Sequence, residues 1–580
     1  MKQVEIRRRA RPEGAGFDGL HPLLAGLYAA RGVTSAAELG GGLEGLLPPD
    51  ALGHTPEAAA LLHETMLRDG RILVVGDYDA DGATSSALGV LGLRRLGAKH
   101  VDYLVPNRFE FGYGLTPPVV ELARQRSPDL IVTVDNGIAS LEGVAVANAL
   151  GMKVLVTDHH LPGSVLPAAA CIVNPNLVGD PFPSKALAGV GVMFYVLLAL
   201  RRRLRQVDWF ETRAIPEPNL ADLLDLVALG TVADVAKLDR NNRILVAAGL
   251  KRIRAGRGRP GIEALARLAK RSVAAMTARD LGFAIGPRLN AAGRMEDMTI
   301  GIECLIADDA TRAGVLAARL DALNQERRSR ESEMRESAFA VVEQLTLAAS
   351  LGGAELPFGL CLHEADWHEG LVGLVASRVR ERVHRPVFAF AKAQDGKLKG
   401  SGRSVDAFHL RDALAAIDTR HPQLIERFGG HAMAAGLTLC ADKFAAFAAA
   451  FDAVVREQLD AASLQGVHTT DGELPAEWLN TTSAALLREA GPWGNGFPEP
   501  VFDGVFVVND TRIVGGRHLR LGLRPADAPA NARPIPAIAF GWEEAVPASG
   551  TRLRLVYQLE LDSYRDGRDI QLLVQHAAPA

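Results

Sequence analysis

Three apolar runs in this chain end in the same chemistry. Ile72-Leu-Val-Val-Gly76 leads into Asp77-Tyr78-Asp79-Ala80-Asp81-Gly82, Leu130 to Val134 into Asp135-Asn136-Gly137, and Val154 to Thr157 into Asp158-His159-His160. Continuous apolar runs of this length read as strands buried on both faces. Val101 to Val105 reads as a further strand, and Ala170 to Val173 is a candidate to continue the series. Helical patterns over Glu57–Arg68, Thr84–Leu96, Pro118–Gln125 and Leu141–Leu150 separate them. Strand and helix in alternation predict an α/β fold with a parallel sheet covered on both sides. In such a sheet ligands bind outside the carboxyl ends of the strands. The three acidic turns therefore fall in one crevice.

Crowded carboxylates repel one another and resist ionisation. Divalent cations relieve that repulsion. Several carboxylates with two imidazoles suit two hard or borderline ions, Mn²⁺ or Mg²⁺, better than one zinc. Two ions about 3.5–4 Å apart are a device for hydrolysing phosphodiesters. Taken alone, Asp79-Ala-Asp81 reads equally well as a helix cap, and His159-His160 as a structural pair. Their recurrence at successive strand ends of one sheet favours the metal reading.

The rest of the chain has a different texture. Residues 1–50 read as an N-terminal cap, and 51–310 as the catalytic domain with a helical extension. Residues 311–347 read as one long, charged connecting helix, with a second α/β domain over 348–462. Segment 466–580 alternates about five short strands with turn residues, which fits an OB-fold β-barrel. Lys plus Arg is 64 and Asp plus Glu 68, giving 64 − 68 = −4, so a uniformly basic nucleic-acid coat is excluded. The basic stretch Lys251 to Arg259 is a candidate phosphate-tracking rim or a solvated helix end. The four cysteines, Cys171, Cys304, Cys361 and Cys440, form no paired motif, which predicts a reducing, cytoplasmic setting. The apolar run Leu187 to Leu200 is shorter than the ~18–20 residues of a membrane span and reads as a buried helix.

GDYDADG, TVDNG and VTDHH, in this order and spacing, resemble the DHH phosphoesterase superfamily. VPNRFEFGYGL, DLVALGTVADV, GFAIGPRLNAAGR, WHEGLVGLVASR, GSGRS and FGGHAMAAG narrow the resemblance to its bacterial single-strand-specific 5′→3′ DNA exonucleases, over about residues 70 to 440. The resemblance implies metal ligation by Asp79, Asp81, Asp135 and His159, with Asp135 bridging two ions and His160 beside the metals or the scissile phosphate. Many superfamily members carry a histidine where this chain has Val75, and Asp77 is a candidate to compensate. The fourth motif supplies one more aspartate. Asp234 fits the glycine-to-aspartate spacing of the superfamily, with Asp225 as the alternative and Asp222 on the helix before it.

The second α/β domain resembles DHH-associated domain 1. That resemblance implies that Ser401 and Arg403 of GSGRS, with Arg108, hold a 5′-terminal phosphate, and that Gly429, Gly430 and His431 bind the backbone. Arg288, Asn290, Arg294 and Gln325 are expected to line the path of the strand, and Phe109, Phe111, Tyr113 and Trp367 to offer stacking surfaces. The whole implies a monomeric enzyme that removes mononucleotides from single-stranded DNA threaded between the two domains, in recombination and repair. A single-strand-binding protein and a helicase are its expected partners, with no membrane. Two other readings remain in view. One is a phosphodiesterase for oligoribonucleotides or cyclic dinucleotides, against which the exonuclease-type motifs and the barrel speak. The other is an inactive DNA-binding relative like the one in eukaryotic replication, against which the intact acidic motifs speak.

Overall fold

A computed structural model describes residues 5–12, 17–40, 42–351, 356–393, 395–460, 462–542, 544–562 and 569–580. The side chains of 108, 109, 348–351 and 462 lie outside the description. The chain forms two compact units, one of Arg8–Leu323 with Thr469–Ala580, the other of Met1–Arg7 with Asn324–His468.

In the larger unit, β1 (Arg71–Gly76), β2 (His100–Leu104), β3 (Leu130–Val134), β4 (Lys153–Thr157) and β5 (Cys171–Val173) form one sheet in the order β2-β1-β3-β4-β5. Every pairing is parallel. The two faces are separately buried. Ile72, Val74, Val132 and Leu155 join the main core, while Leu73, Val75, Ile131 and Val156 pack with Val119, Val120 and Val144 on the other side. Both faces being apolar explains why the strands read as unbroken runs.

Helix α1 (Ala80–Arg95) begins one turn earlier than the sequence pattern indicated. The reason is local: Asp79 is its N-cap, its side chain accepting from Gly82 N at 2.9 Å. The apolar run after Leu187 forms α2 (Gly189–Gln206), buried almost throughout its first three turns. Helix α3 (Leu224–Ala233) packs against both. From Arg8 onward the N-terminal segment belongs to the same unit, where Tyr28 stacks on Trp493 at 5.8 Å and Arg31 pairs with buried Asp471 at 3.0 Å.

The C-terminal strands Phe502–Val514, His518–Pro525, Ile535–Ala539, Arg552–Leu561 and Ile570–Pro579 close on one another, the first pairing with both the second and the fourth. The first and last extend well past their apolar alternation. Shifts of register at Val508/Asp510 and Val556/Tyr557 let pairing continue after the alternation breaks.

In the smaller unit a five-stranded mixed sheet carries β6 (Leu360–His363), β7 (Val387–Lys392), β8 (Lys397–Arg403), β9 (Arg427–Gly430) and β10 (Ala434–Cys440), in the order β9-β10-β8-β7-β6. Phe388 and Phe390 fill one face with Phe447 and Phe451. Gly400 and Gly402 are needed there, because a methyl group on either would meet a phenylalanine ring at 2.4–2.5 Å. The helix Ala310–Leu351 belongs to the larger unit up to Leu323 and to the smaller one from Asn324. No described helix is long and apolar enough to cross a membrane.

Candidate metal centre and nucleic-acid-binding residues

The strand ends of the larger unit bring seven ligand-type side chains together. Three sets, Asp77/Asp79/Asp135, Asp81/His159/Asp234 and Asp135/His159/His160, each place one donor atom per residue within 4.8 Å of the others. His159 stands among three carboxylates. Its Nε2 is 3.0 Å from Asp135 Oδ1 and 4.0 Å from Asp81 Oδ2, and its Nδ1 is 4.0 Å from Asp234 Oδ2.

Each carboxylate is aimed by backbone. Asp81 lies in the first turn of α1 and accepts from Gly189 N at 2.7 Å and Val190 N at 3.0 Å, the first amides of α2. A helix N-terminus favours negative charge. Burial, followed by the charge of Asp79, nevertheless pushes the Asp81 carboxyl up to about 7. Asp135 follows the central strand with φ at 60°, a left-handed conformation uncommon for a side-chain-bearing residue. Asn136 pins that turn, donating from Nδ2 to Val75 O and Val134 O at 3.1 and 2.8 Å. The Asp135 carboxyl is raised well above its ordinary range by burial and then by Asp81 and Asp79. Asp234 caps the end of α3 and is raised in the same way, by burial and then Asp81.

Two glycines permit this crowding. A methyl group at Gly189 would lie 2.6 Å from Asp135 Cβ and Oδ1. One at Gly230 would lie 2.2 Å from Thr84 Oγ1 and 2.8 Å from Asp81 Oδ1. Nothing in the sequence marks Gly189, whose role is visible only because α2 begins against the cluster.

His160 is held separately. Its Nδ1 is 2.8 Å from Asp158 Oδ1, and Asp158 also accepts from Ile138 N at 2.9 Å. Burial works against the His160 cation, but the Asp158 hydrogen bond and charge outweigh it and raise the imidazole to about 9. Tyr113 adds its hydroxyl 3.4 Å from both ring nitrogens of His160 and 3.3 Å from Asp135 O.

Of the two fourth-motif candidates, the structure brings Asp234 to the cluster and leaves Asp225 elsewhere. Asp225 is fully buried and accepts from Leu226 N and Arg259 N, at 3.0 and 2.5 Å. Asp222 pairs with Arg252 at 2.7 Å.

The basic stretch divides: Lys251 and Arg257 are exposed, while Arg259 is buried, which corrects the expectation of a solvated or phosphate-tracking side chain there. Arg259 is buried and donates to Leu305 O, Ile306 O and Ala307 O, tying down the end of the helix Thr299–Ile306. Arg254 donates to Met276 O, and Arg252 is taken by Asp222.

The residues expected along the DNA path separate by role. Asn290 Oδ1 accepts from Ala80 N at 2.8 Å, so it braces the Asp79–Asp81 loop. Arg288 lies on the same helix, α4 (Gly286–Met295), paired with Asp321 at 2.8 Å and donating to Ala284 O. Arg294 is in its last turn. Gln325 belongs to the smaller unit. The Arg108 and Phe109 side chains lie outside the description. Trp367 is only 4% exposed and presents no stacking face, whereas Phe111 is partly buried against the core and Tyr113 is exposed.

In the smaller unit Ser401 and Arg403 stand on β8, on the face turned away from the phenylalanine core. The register sets Ser401 beside Gly436 and Gly436 beside Gly429, across three strands. Arg403 donates to Ser401 Oγ at 3.2 Å and to Gly402 O at 2.7 Å. Burial and then the nearby charge of Arg380 lower its pKa. A methyl group at Gly373 would meet Arg403 Nη2 and Ser401 Oγ at 2.8 Å, so the first turn of the helix Val372–Val383 closes on this pair. Gly430 has φ at 139° in the turn that ends with exposed His431.

A parallel sheet whose strand ends gather aspartates and a His-His pair, joined in one chain to a second mixed-sheet domain, defines a DHH-type protein. The sequence profiles "DHH family, N-terminal domain", "DHHA1 domain" and "RecJ OB domain" match residues 71–231, 350–457 and 470–576. The chain is 52% identical over 578 residues to the single-stranded-DNA-specific exonuclease RecJ of Dickeya dadantii, covering 99% of each chain. It is 51% identical over 581 residues to that of Escherichia coli, covering 100% of each. Its structure matches that of RecJ in complex with Mn²⁺ from Thermus thermophilus with a TM-score of 0.79, at 30% identity, over 100% of this chain and 80% of that one. The chain belongs to the RecJ family.

Proposed function

We infer that this chain is a single-stranded-DNA-specific exonuclease, a metal-dependent hydrolase of phosphodiesters, acting 5′→3′ and releasing mononucleotides. The observation that carries this is the convergence of Asp77, Asp79, Asp81, Asp135, His159, His160 and Asp234 into three overlapping donor sets. The donor set fits divalent cations. Asp135 Oδ1 is buried and accepts no hydrogen bond, and two imidazoles accompany five carboxylates. Hard to borderline ions are the match for such a set, and solved RecJ structures from Thermus thermophilus are complexes with Mn²⁺ and with Mg²⁺. Asp77, Asp79, Asp81, Asp135, His159 and Asp234 would hold them. Cations bound there neutralise the carboxylates and supply Lewis acidity to the phosphodiester.

The chain's own residues do the rest. His160, oriented by Asp158 through Nδ1, donates to a non-bridging oxygen of the scissile phosphate. Tyr113 keeps its ring in place. In the smaller unit Arg403, with no carboxylate partner among the described residues, and Ser401 beside the first turn of a helix offer donors to a terminal phosphate. Gly429, Gly430 and His431 continue that surface along the backbone, and Arg108, Arg288, Arg294 and Gln325 serve the strand elsewhere. We extend the reading to a monomeric cytoplasmic repair enzyme. A nuclease confined to single strands needs duplex opened for it, which argues for a helicase and a single-strand-binding protein as suppliers.

The test is degradation of 3′-labelled, 5′-phosphorylated single-stranded DNA with Mn²⁺ or Mg²⁺, by the wild type and Asp135→Asn. Shortening from the 5′ end, absent in the variant and with duplex or RNA, is the expected result. Preference for short RNA, or tight binding without cleavage in either metal, overturns the reading.

A further inference from the structure

The helix that braces the catalytic loop also carries the most exposed aromatic side chain among the described residues, Phe283, at 82%. It runs from Ala278 to Met295 and is interrupted by a π turn at Leu281–Ile285. Its start reaches the barrel, where Arg279 pairs with Glu560 and contacts Gln558. Its end reaches the metal-ligand loop, where Asn290 accepts from Ala80 N and Gly293 lies against Tyr78 O. Phe283 stands between the two, seven residues or about 10 Å of helix from Asn290.

The π turn is packed on its inner side. Leu281, Ala284 and Ile285 are buried. A methyl group at Gly282 would come within 3.2 Å of Val232, and one at Gly286 within 3.2 Å of Ala233, the residues just before Asp234. The widened turn thus rests on the helix end that delivers Asp234, and Phe283 projects to solvent from it. Single exposed apolar residues are ordinary. This one sits on a rare backbone feature that is frequent at functional sites, in a helix linking the barrel to the acidic cluster. Of the described aromatics that the sequence offered for stacking, Trp367 is buried, Phe111 is partly buried against the core, and Tyr113 is about half as exposed as Phe283, with its hydroxyl turned to His160.

We propose that Phe283 is a stacking platform for a base of the single strand, on the barrel side of the acidic cluster. The proposal rests on the reading of the chain as a single-stranded-DNA exonuclease. An aromatic face suits that substrate because every base has a π surface, so stacking holds the strand without selecting sequence. Its position between the metal-ligand loop and the barrel assigns it to the nucleotides still to be cleaved.

Three full-length proteins test this: wild type, Phe283→Ala and Phe283→Trp. Each is measured for steady-state degradation of a 3′-labelled oligonucleotide, and for equilibrium binding to it in EDTA. The oligonucleotide is used intact and with one abasic site moved base by base from the 5′ end. Phe283→Ala should raise KM and Kd by about 5-fold to about 100-fold, the span of base–aromatic stacking on alanine substitution. Phe283→Trp should restore them, and all three should melt alike. In the wild type one abasic position should weaken binding, and in Phe283→Ala that sensitivity should vanish. Wild-type constants for Phe283→Ala, or the same abasic sensitivity in both proteins, overturn the proposal. Wild type that binds the strand without degrading it refutes the exonuclease reading alone, and the binding arm still decides the role of Phe283. Wild type that neither binds nor degrades it removes both.

Discussion

Replacing Gly189 by alanine is expected to separate the activity of this chain from its stability. Gly189 opens α2, and its amide donates to Asp81 at 2.7 Å. An added methyl group would stand 2.6 Å from Asp135 Cβ and Oδ1 and 2.9 Å from Asp135 Cα. Ordinary carbon contacts begin near 3.5 Å, so Asp135 and the start of α2 must part by roughly 1 Å. Overpacking of this kind costs about 1–3 kcal/mol. Alanine is favoured over glycine in a helix by about 1 kcal/mol. The net destabilisation is therefore roughly 0–2 kcal/mol. The catalytic effect is larger, because a displacement of about 1 Å in a positioned group can lower a rate by ~10²-fold. Gly191→Ala is the control. Two residues along the same helix, its methyl group would meet only the Leu187 side chain, 2.5 Å from Cδ1 and 2.8 Å from Cγ, and that side chain can turn aside. Thermal melting with and without Mn²⁺, beside degradation of labelled single-stranded DNA, reads both properties. The expected pattern is a rate near one-hundredth of wild type and a shrunken Mn²⁺-induced melting shift in Gly189→Ala, with both preserved in Gly191→Ala. A Gly189→Ala protein with the wild-type rate and Mn²⁺ response, or equal loss in Gly191→Ala, refutes the reasoning.

Asp81, Asp135 and Asp234 are raised by burial and then by neighbouring carboxylates (Asp79 for Asp81, Asp81 and Asp79 for the other two), Asp81 to about 7, so their ionisation opposes folding. That penalty is absent below their unfolded value near ~4 and grows as pH rises toward 7. The melting increment given by Mn²⁺ over EDTA should therefore grow from pH 5 to 7.5, and an increment independent of pH contradicts the assignment. Arg259→Gln should destabilise the protein by about 3 kcal/mol or more, since three carbonyls and Asp308 lose a buried cation. The slope of log Kd for single-stranded DNA against log salt should not change, whereas a phosphate-tracking arginine would reduce it by close to one contact. Tyr113→Phe removes the hydroxyl facing His160 and keeps the ring. A fall of about 5- to 10-fold in kcat at constant KM is expected, the size of one neutral hydrogen bond, and an unchanged kcat would refute the role given to the hydroxyl.

What the sequence made legible follows from where the information is local. The parallel strands are buried on both faces, so each appears as an uninterrupted apolar run, and each acidic motif begins at the residue where its run stops. Asp234 and Asp225 illustrate the limit. Both bound the same helix, α3, about 13 Å apart along its axis, so only one can reach a cluster whose donors lie within 4.8 Å of one another. Which one depends on the end of α3 that faces the sheet, and that is a matter of packing. Arg259 misled for a related reason. A basic run looks solvated until the carbonyls of the helix that ends beside it are seen to require donors. Asn290 stands out in the sequence as a candidate for the DNA path, whereas its observed partner is the amide of Ala80, 210 residues away.

The cluster is aimed largely by groups that are not themselves ligands. Asp79 is fixed by the amide of Gly82, Asp81 by two amides of α2, and Asp135 by a left-handed turn braced through Asn136. Apart from the Asn136 side chain these restraints are backbone, and backbone in a packed helix terminus cannot shift to spread the charges. The folded chain thus holds its carboxylates together against their mutual repulsion, and the elevated affinities of Asp81, Asp135 and Asp234 for protons measure that opposition. A cation offered to such a site gains from neutralising charge and does not have to organise its ligands. The same reasoning separates two kinds of variant. Loss of a ligand such as Asp135 removes charge, and so relaxes the fold while abolishing the site. Loss of a brace such as Asn136 leaves the charge in place and releases the geometry, so it should harm both stability and activity.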